Sequence, residues 1–158
     1  MSALTMQPLP KFTMWHLKDP EVEAVMAKAL PDSLALFTYQ ILADESLVAR
    51  LGRDEFLAWG PQAEPLISND SIRAFQRGDA VFELSGDWRA LLAEICIHDF
   101  RQTRPGDFLM TTAAGVNVWL LIPDAQAPLW LGCDPTYEVY LHSVLERHTR
   151  SLTSKQGV

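Results

Sequence analysis

"DFLMTTAAGVNVWLLI", residues 107–122, holds two apolar runs separated by Ala114-Gly115. Such runs, rich in Val, Leu, Phe and Thr and parted by a small-residue pair, read as two antiparallel strands joined by a hairpin turn. Upstream, "AVFEL" (80–84) alternates as a strand, and "DWRALLAEICI" (87–97) follows as a helix. Asp87 is placed to cap that helix, and Trp88, Leu91, Leu92, Ile95 and Cys96 share one face. Downstream, "APLWLGC" (127–133) is a further strand. Asp134-Pro135 opens a last helix, with a stripe of Tyr137, Tyr140, Leu141, Val144 and His148. The order strand, helix, strand, strand, strand, helix predicts an α+β fold of mostly antiparallel sheets with helices packed on one face.

The first half is patterned less clearly. Residues 1–18 contain Pro and Met without periodicity and read as an arm. Asp19-Pro20 opens a helix carrying Val22, Val25, Met26, Ala29 and Leu30 on one stripe, and Pro31 ends it. "LALFTYQIL" (34–42), "LVARL" (47–51) and "FLAWG" (56–60) read as strands, and "NDSIRAFQR" (69–77) as a short capped helix. The tail "SLTSKQGV" (151–158) is polar and reads as loose. A single domain over 1–158 is expected, with an arm and helix at 1–32 and a flexible tail at 149–158.

Composition narrows the function classes. Twenty acidic residues against 13 basic ones leave a formal charge of −7 over 158 residues. Nucleic-acid affinity rests on Lys and Arg against phosphates. The densest basic stretch is "RHTR" (147–150), at a helix end that suits cations, so neither nucleic acid nor an anionic membrane is an expected partner. No apolar run is long enough to span a bilayer, and "MSALTMQPLPKF" lacks the cationic and apolar regions of a secretory signal. A cytoplasmic location is expected. The two cysteines, Cys96 and Cys133, lie in separate elements, without a disulfide or zinc-ribbon pattern.

Four groups of residues invite a chemical reading. Cys96-Ile97-His98-Asp99 contains a thiol, an imidazole and a carboxylate. A nucleophilic thiol needs exposure, whereas Cys96 shares the apolar stripe of Leu92 and Ile95 and reads as a core thiol, with His98 and Asp99 ending the helix. Glu138, His142 and Glu146 recur at i, i+4 and i+8. A metal needs convergent ligands, and such pairs are ordinary on a solvated face. Trp15, Trp59, Trp88, Trp119 and Trp130 sit in or beside apolar runs and read as core or partner-facing. Asp54-Glu55 falls between two strands as a hairpin tip, since neighbours on a strand point to opposite faces. No catalytic residue, metal ligand or cofactor-binding residue is assigned, and neither a Gly-rich phosphate loop nor a Gly-x-Ser-x-Gly elbow is present.

The hairpin stretch also carries a resemblance. "LVARLGRDEFLAWGP" (47–61) resembles the "LGPDEWLL" segment of the gamma subunit of heterotetrameric sarcosine oxidases, small relatives of the glycine-cleavage T-protein fold. "FELSGDWRALLAEICIHDF" (82–100) resembles that family's strand ending in Ser-Gly and its helix running to Cys-x-x-Asp-Leu, here Ser85, Gly86, Cys96, Asp99 and Phe100, within a resemblance that spans 33–148 as the core. "RPGDFLMTTAAGVNVWLLI" (104–122) and "PLWLGCDPTYEVYLHSVLE" (128–146) resemble the strand pair, closing strand and last helix. Arg53 stands where the family has proline, Phe56 where it has tryptophan, and Asp134-Pro135 where it has Arg-Ser. The resemblance implies a T-protein-like fold and a non-catalytic subunit in a complex that oxidises N-methyl amines. It also implies that flavin, nicotinamide cofactor and folate belong to larger flavoprotein subunits. Two alternatives stay open: a stand-alone folate-binding or aminomethyltransferase-like protein, and a small adaptor or immunity-type binding module.

Overall fold

A computed structural model describes residues 3–61, 63–64, 68, 70–125 and 127–156. Its strands are Thr5–Pro8 (β1), Met14–Lys18 (β2), Tyr39–Ile41 (β3), Leu47–Gly52 (β4), Glu55–Trp59 (β5), Ala74–Arg77 (β6), Ala80–Ser85 (β7), Phe108–Ala113 (β8), Val116–Leu121 (β9) and Leu129–Cys133 (β10). Its main helices are Val22–Ala29 (α1), Trp88–Ile95 (α2) and Glu138–Gln156 (α3). The chain divides into two compact units, one of residues 1–11 with 79–158 and one of residues 12–78. Each unit holds a five-stranded sheet whose strands pair antiparallel, so the fold is α+β as expected.

In the first unit the sheet order is β1-β7-β10-β9-β8. The β8–β9 hairpin turns on Ala114 and Gly115, at φ 51° and 79°. Two successive left-handed residues match the right-handed twist of the paired strands, and glycine takes such a φ at no steric cost. The Asp87 carboxylate accepts from the Ala90 backbone N–H at 3.2 Å and caps α2. Eight residues are too few for a stable isolated helix. Tertiary burial of Trp88, Leu91 and Leu92 against Phe82, Val118 and Leu131 supplies the difference, at about 1.5–3 kcal/mol for each large side chain.

The last helix differs from its sequence reading at both ends. Pro135–Tyr137 forms a 3-10 turn, with the Asp134 carboxylate accepting from the Thr136 N–H, before α3 begins. Tyr137 is therefore off the helical period. Leu141, Val144 and Leu145 are the buried stripe, while Tyr137 and Tyr140 are exposed. The helix also runs on through Gln156 instead of loosening at residue 149. Glu94 of α2 holds it there, taking His148 at 2.8 Å and Lys155 at 3.7 Å.

In the second unit the sheet order is β3-β4-β5-β2-β6. Val22 and Met26 of α1 lie over Leu17, Val48, Phe56 and Ala58. The expected arm contains β1 and β2, which join different units, β1 against β7 and β2 between β5 and β6. The expected strand at 34–42 is reduced to β3, because Leu36 and Phe37 form a turn with Phe37 at φ 57°. The expected helix at 69–77 is overturned. Asn69 lies outside the described residues, Asp70 and Ser71 form turns, and Ala74–Arg77 pairs with β2 as an edge strand. Cross-strand partners decided this segment, and its cap-like polar residues serve a turn instead.

Candidate functional site

Cys96, His98 and Asp99 do not converge. Cys96 ends α2 as an isolated bridge to Ala113, buried, with Sγ 3.7 Å from Thr111 Oγ1. The His98 ring packs edge-on against Phe100 at 4.9 Å. Asp99 accepts from the backbone and the guanidinium of Arg101, the shortest contact being 2.7 Å. These hydrogen bonds hold its carboxyl at about 2, well below the ordinary 3.8. Phe100 is buried edge-on to Trp88 at 5.9 Å. Ile97–Asp99 and the 3-10 turn Phe100–Gln102 that follows border an open cleft of about 440 Å³, lined by Arg89, His98, Asp99, Phe100 and Arg101.

The α3 trio disperses as well. Glu138 faces Lys11 at 3.7 Å, the His142 ring lies 6.0 Å from that of Phe82, and Glu146 takes Arg150 at 2.6 Å. Among the described residues no group of His, Cys, Asp and Glu could hold a metal ion. Nor is any described helix long and apolar enough to cross a membrane.

The tryptophans lead to two carboxylates that the sequence reading missed. Trp119 Nε1 donates to Asp79 at 2.7 Å, and Asp79 is only 8% exposed. A Cβ on Gly132 would stand 2.0 Å from the Trp119 ring, so only glycine lets β10 pass beneath this indole. Burial, with Asp79, Asp134 and Glu138 nearby, pushes the Cys133 thiol up to about 11. That thiol is inert at neutral pH. Glu83 accepts from Gln7 at 2.8 Å and from Trp130 at 3.2 Å, tying β1 and β10 to β7. Trp88 and Trp15 pack with the hydrophobic cores, and Trp59 lies 5.5 Å from Phe12.

The hairpin-tip reading holds for Asp54 but not for Glu55, which pairs with Gly52 and Lys18 as part of β5. Arg53 and Asp54 form the turn between β4 and β5, whereas Glu55 is the first residue of β5. Glu55 faces β2, with His16 at 2.6 Å and Lys18 at 3.8 Å. Behind the same hairpin, Arg50 donates to Glu23 at 2.7 Å, to the Leu34 carbonyl at 2.9 Å and to the Gly52 carbonyl at 3.1 Å. That side chain fastens α1 and the following loop to β4. Charged residues spaced 27 and 39 apart in sequence leave no local pattern, which is why Arg50 and His16 were not singled out.

No family model and no curated protein matches the sequence. Solved structures do. A chain of the heterotetrameric sarcosine oxidase from Corynebacterium sp. U-96, in complex with pyrrole 2-carboxylate, superposes with a TM-score of 0.78 at 19% identity. The match covers 95% of this chain and 85% of that one. The glycine cleavage system aminomethyltransferase T from Bartonella henselae gives a TM-score of 0.72 at 11% identity over 91% of this chain. This chain spans 45% of that protein's length. The resemblance drawn from the hairpin, helix and strand-pair motifs thus holds at the level of the fold: the chain has a T-protein-like fold shared with a chain of a heterotetrameric sarcosine oxidase.

Proposed function

We propose that this chain is the gamma-type, non-catalytic subunit of a heteromeric flavoenzyme complex that oxidises N-methyl amines. One observation carries the reading. The likeness to the sarcosine oxidase chain runs over 95% of this chain and 85% of the other, so two chains of similar size correspond nearly end to end. The aminomethyltransferase is matched over only 45% of its own length, so the likeness to the sarcosine oxidase chain is the fuller of the two. The dispersal of the Cys96 and Glu138 groups into packing and ion-pair roles supports a scaffold. In this reading flavin, nicotinamide cofactor and folate sit on the larger subunits, the complex is cytoplasmic, and this chain stabilises it. Deleting the gene for the chain and assaying N-methyl amine oxidation in extracts tests the role. Activity should fall together with the amount of assembled flavoprotein. Full activity with normal assembly would overturn it.

A further inference from the structure

His148 and Lys155 stand two turns apart on α3, and both reach one carboxylate of α2, Glu94, at 2.8 and 3.7 Å. Glu94 lies in the last turn of α2, where no basic residue stands. The C-terminal end of a helix carries partial negative charge, so a carboxylate there works against its own helix. The two cations of α3 offset that conflict. The His148 and Glu94 side chains are 29% and 33% exposed, which spares the pair part of the screening that cancels open surface pairs. Beyond His148 the helix is polar, and Leu152 is its partly buried contact with the first unit's core. Thr149 pulls the other way. Its Oγ1 is buried with no hydrogen-bond partner among the described residues, and a buried hydroxyl left unbonded opposes docking.

Few other charges bear on this contact. α3 packs against α2 and β1, and β1 carries no charged residue. The other charged side chain of α2, Arg89, lies over the Trp88 ring. On α3, Glu146 takes Arg150, and Arg147 lines the open face beside them. Histidine is the side chain whose charge changes between about pH 5 and 8. Glu94 is ionised throughout that range, because the His148 hydrogen bond, with Lys155 adding and burial opposing, holds its carboxyl below the ordinary 4.5.

We propose that Glu94 and His148 form a pH-sensitive latch on the end of α3. With His148 protonated the latch is closed and residues 149–156 stay docked on α2. As pH rises through the histidine range, His148 loses its charge and keeps at most an uncharged hydrogen bond. Lys155, at 3.7 Å, then holds Glu94 alone, and the last two turns lift more often. The latch also opens in acid, as Glu94 regains its proton below 4.5.

Amide hydrogen exchange of the full chain, corrected for the intrinsic rate at each pH, tests this at about pH 5.5 and about pH 8. In wild type the protection of residues 149–156 should fall about threefold between the two, while β9 and β10 hold theirs. H148Q and E94Q should each sit at the low level at both values. H148K, whose charge persists, should keep the high level at both. If E94Q fails to fold, H148Q and H148K carry the test between them. Equal wild-type protection at the two values would overturn the latch. So would a fall that persists in H148Q, an H148K chain that loses protection as wild type does, or a fall shared by β9 and β10.

Discussion

Glu55 Oε1 lies 2.6 Å from His16 Nε2 across the β2–β5 pair, although the two residues are 39 apart in sequence. Its neighbour Asp54 is in the turn, and among the described residues its one contact is through the backbone, its carbonyl accepting from the Asp19 N–H at 3.1 Å. The two adjacent carboxylates should therefore behave differently. Asp54→Ala should change stability by no more than about 0.5 kcal/mol, whereas Glu55→Ala should cost about 1 kcal/mol through the lost charge-assisted bond. Urea unfolding of the two variants checks this, and equal effects would contradict it.

Trp119 supplies a sharper test. Its indole is hydrogen-bonded to Asp79 and stacked on Phe108 at 6.2 Å, so it cannot swing aside for a side chain on Gly132. Gly132→Ala should cost about 1–3 kcal/mol by overpacking. Asp79→Ala should cost about 1–3 kcal/mol by leaving a buried donor unpaired, and Asp79→Asn less, because an acceptor remains. Thermal denaturation followed by tryptophan fluorescence reads all three.

Both thiols should be silent in the folded chain. Cys96 and Cys133 are buried, so a thiol reagent at pH 8 should label them only after unfolding. Cys96→Ala should cost about 1–2 kcal/mol, as small core truncations do. The folded Cys133 thiol keeps its proton to about 11 against an ordinary 9.0. Its contribution is therefore complete below pH 9 and is lost as pH rises through about 11. Unfolding midpoints should fall over that window and fall less in Cys133→Ser.

At acid pH the sign reverses. Asp99 is held at about 2 by Arg101, so its stabilising effect is present above its ordinary 3.8 and disappears as pH falls through about 2. Arg101→Ala should move the Asp99 titration up towards the ordinary carboxylate range, short of a full return because the backbone N–H of residue 101 still donates to it, read by NMR of its carboxyl carbon.

What was legible in the sequence was local. Ala114-Gly115 and Asp87 each determine a turn or helix start through their own backbone chemistry where it was expected, while Asp134-Pro135 opens a 3-10 turn ahead of α3. What was hidden depended on distant partners. Thr5–Pro8 has no periodicity of its own and becomes a strand by lying along β7. Ala74–Arg77 follows cap-like polar residues yet pairs with β2. Trp119 was visible as an aromatic in a strand, but its partner Asp79 lies 40 residues away and looks like any loop acid. The cleft beside α2 was missed for the same reason. Arg89 reads as the solvated face of a helix until the fold sets it beside Arg101 and His98.

The central claim is that the chain works inside a flavoenzyme complex, and gentle purification of the natural protein tests it most directly. A tagged chain taken from its own cells, run on a sizing column with absorbance and mass-spectrometric readout, should elute with larger subunits in fixed ratio. Those fractions should show a flavin spectrum and oxidise an N-methyl amine. Elution alone at the chain's own 17.7 kDa, colourless, with the flavoprotein of the same cells fully assembled elsewhere, would contradict the account.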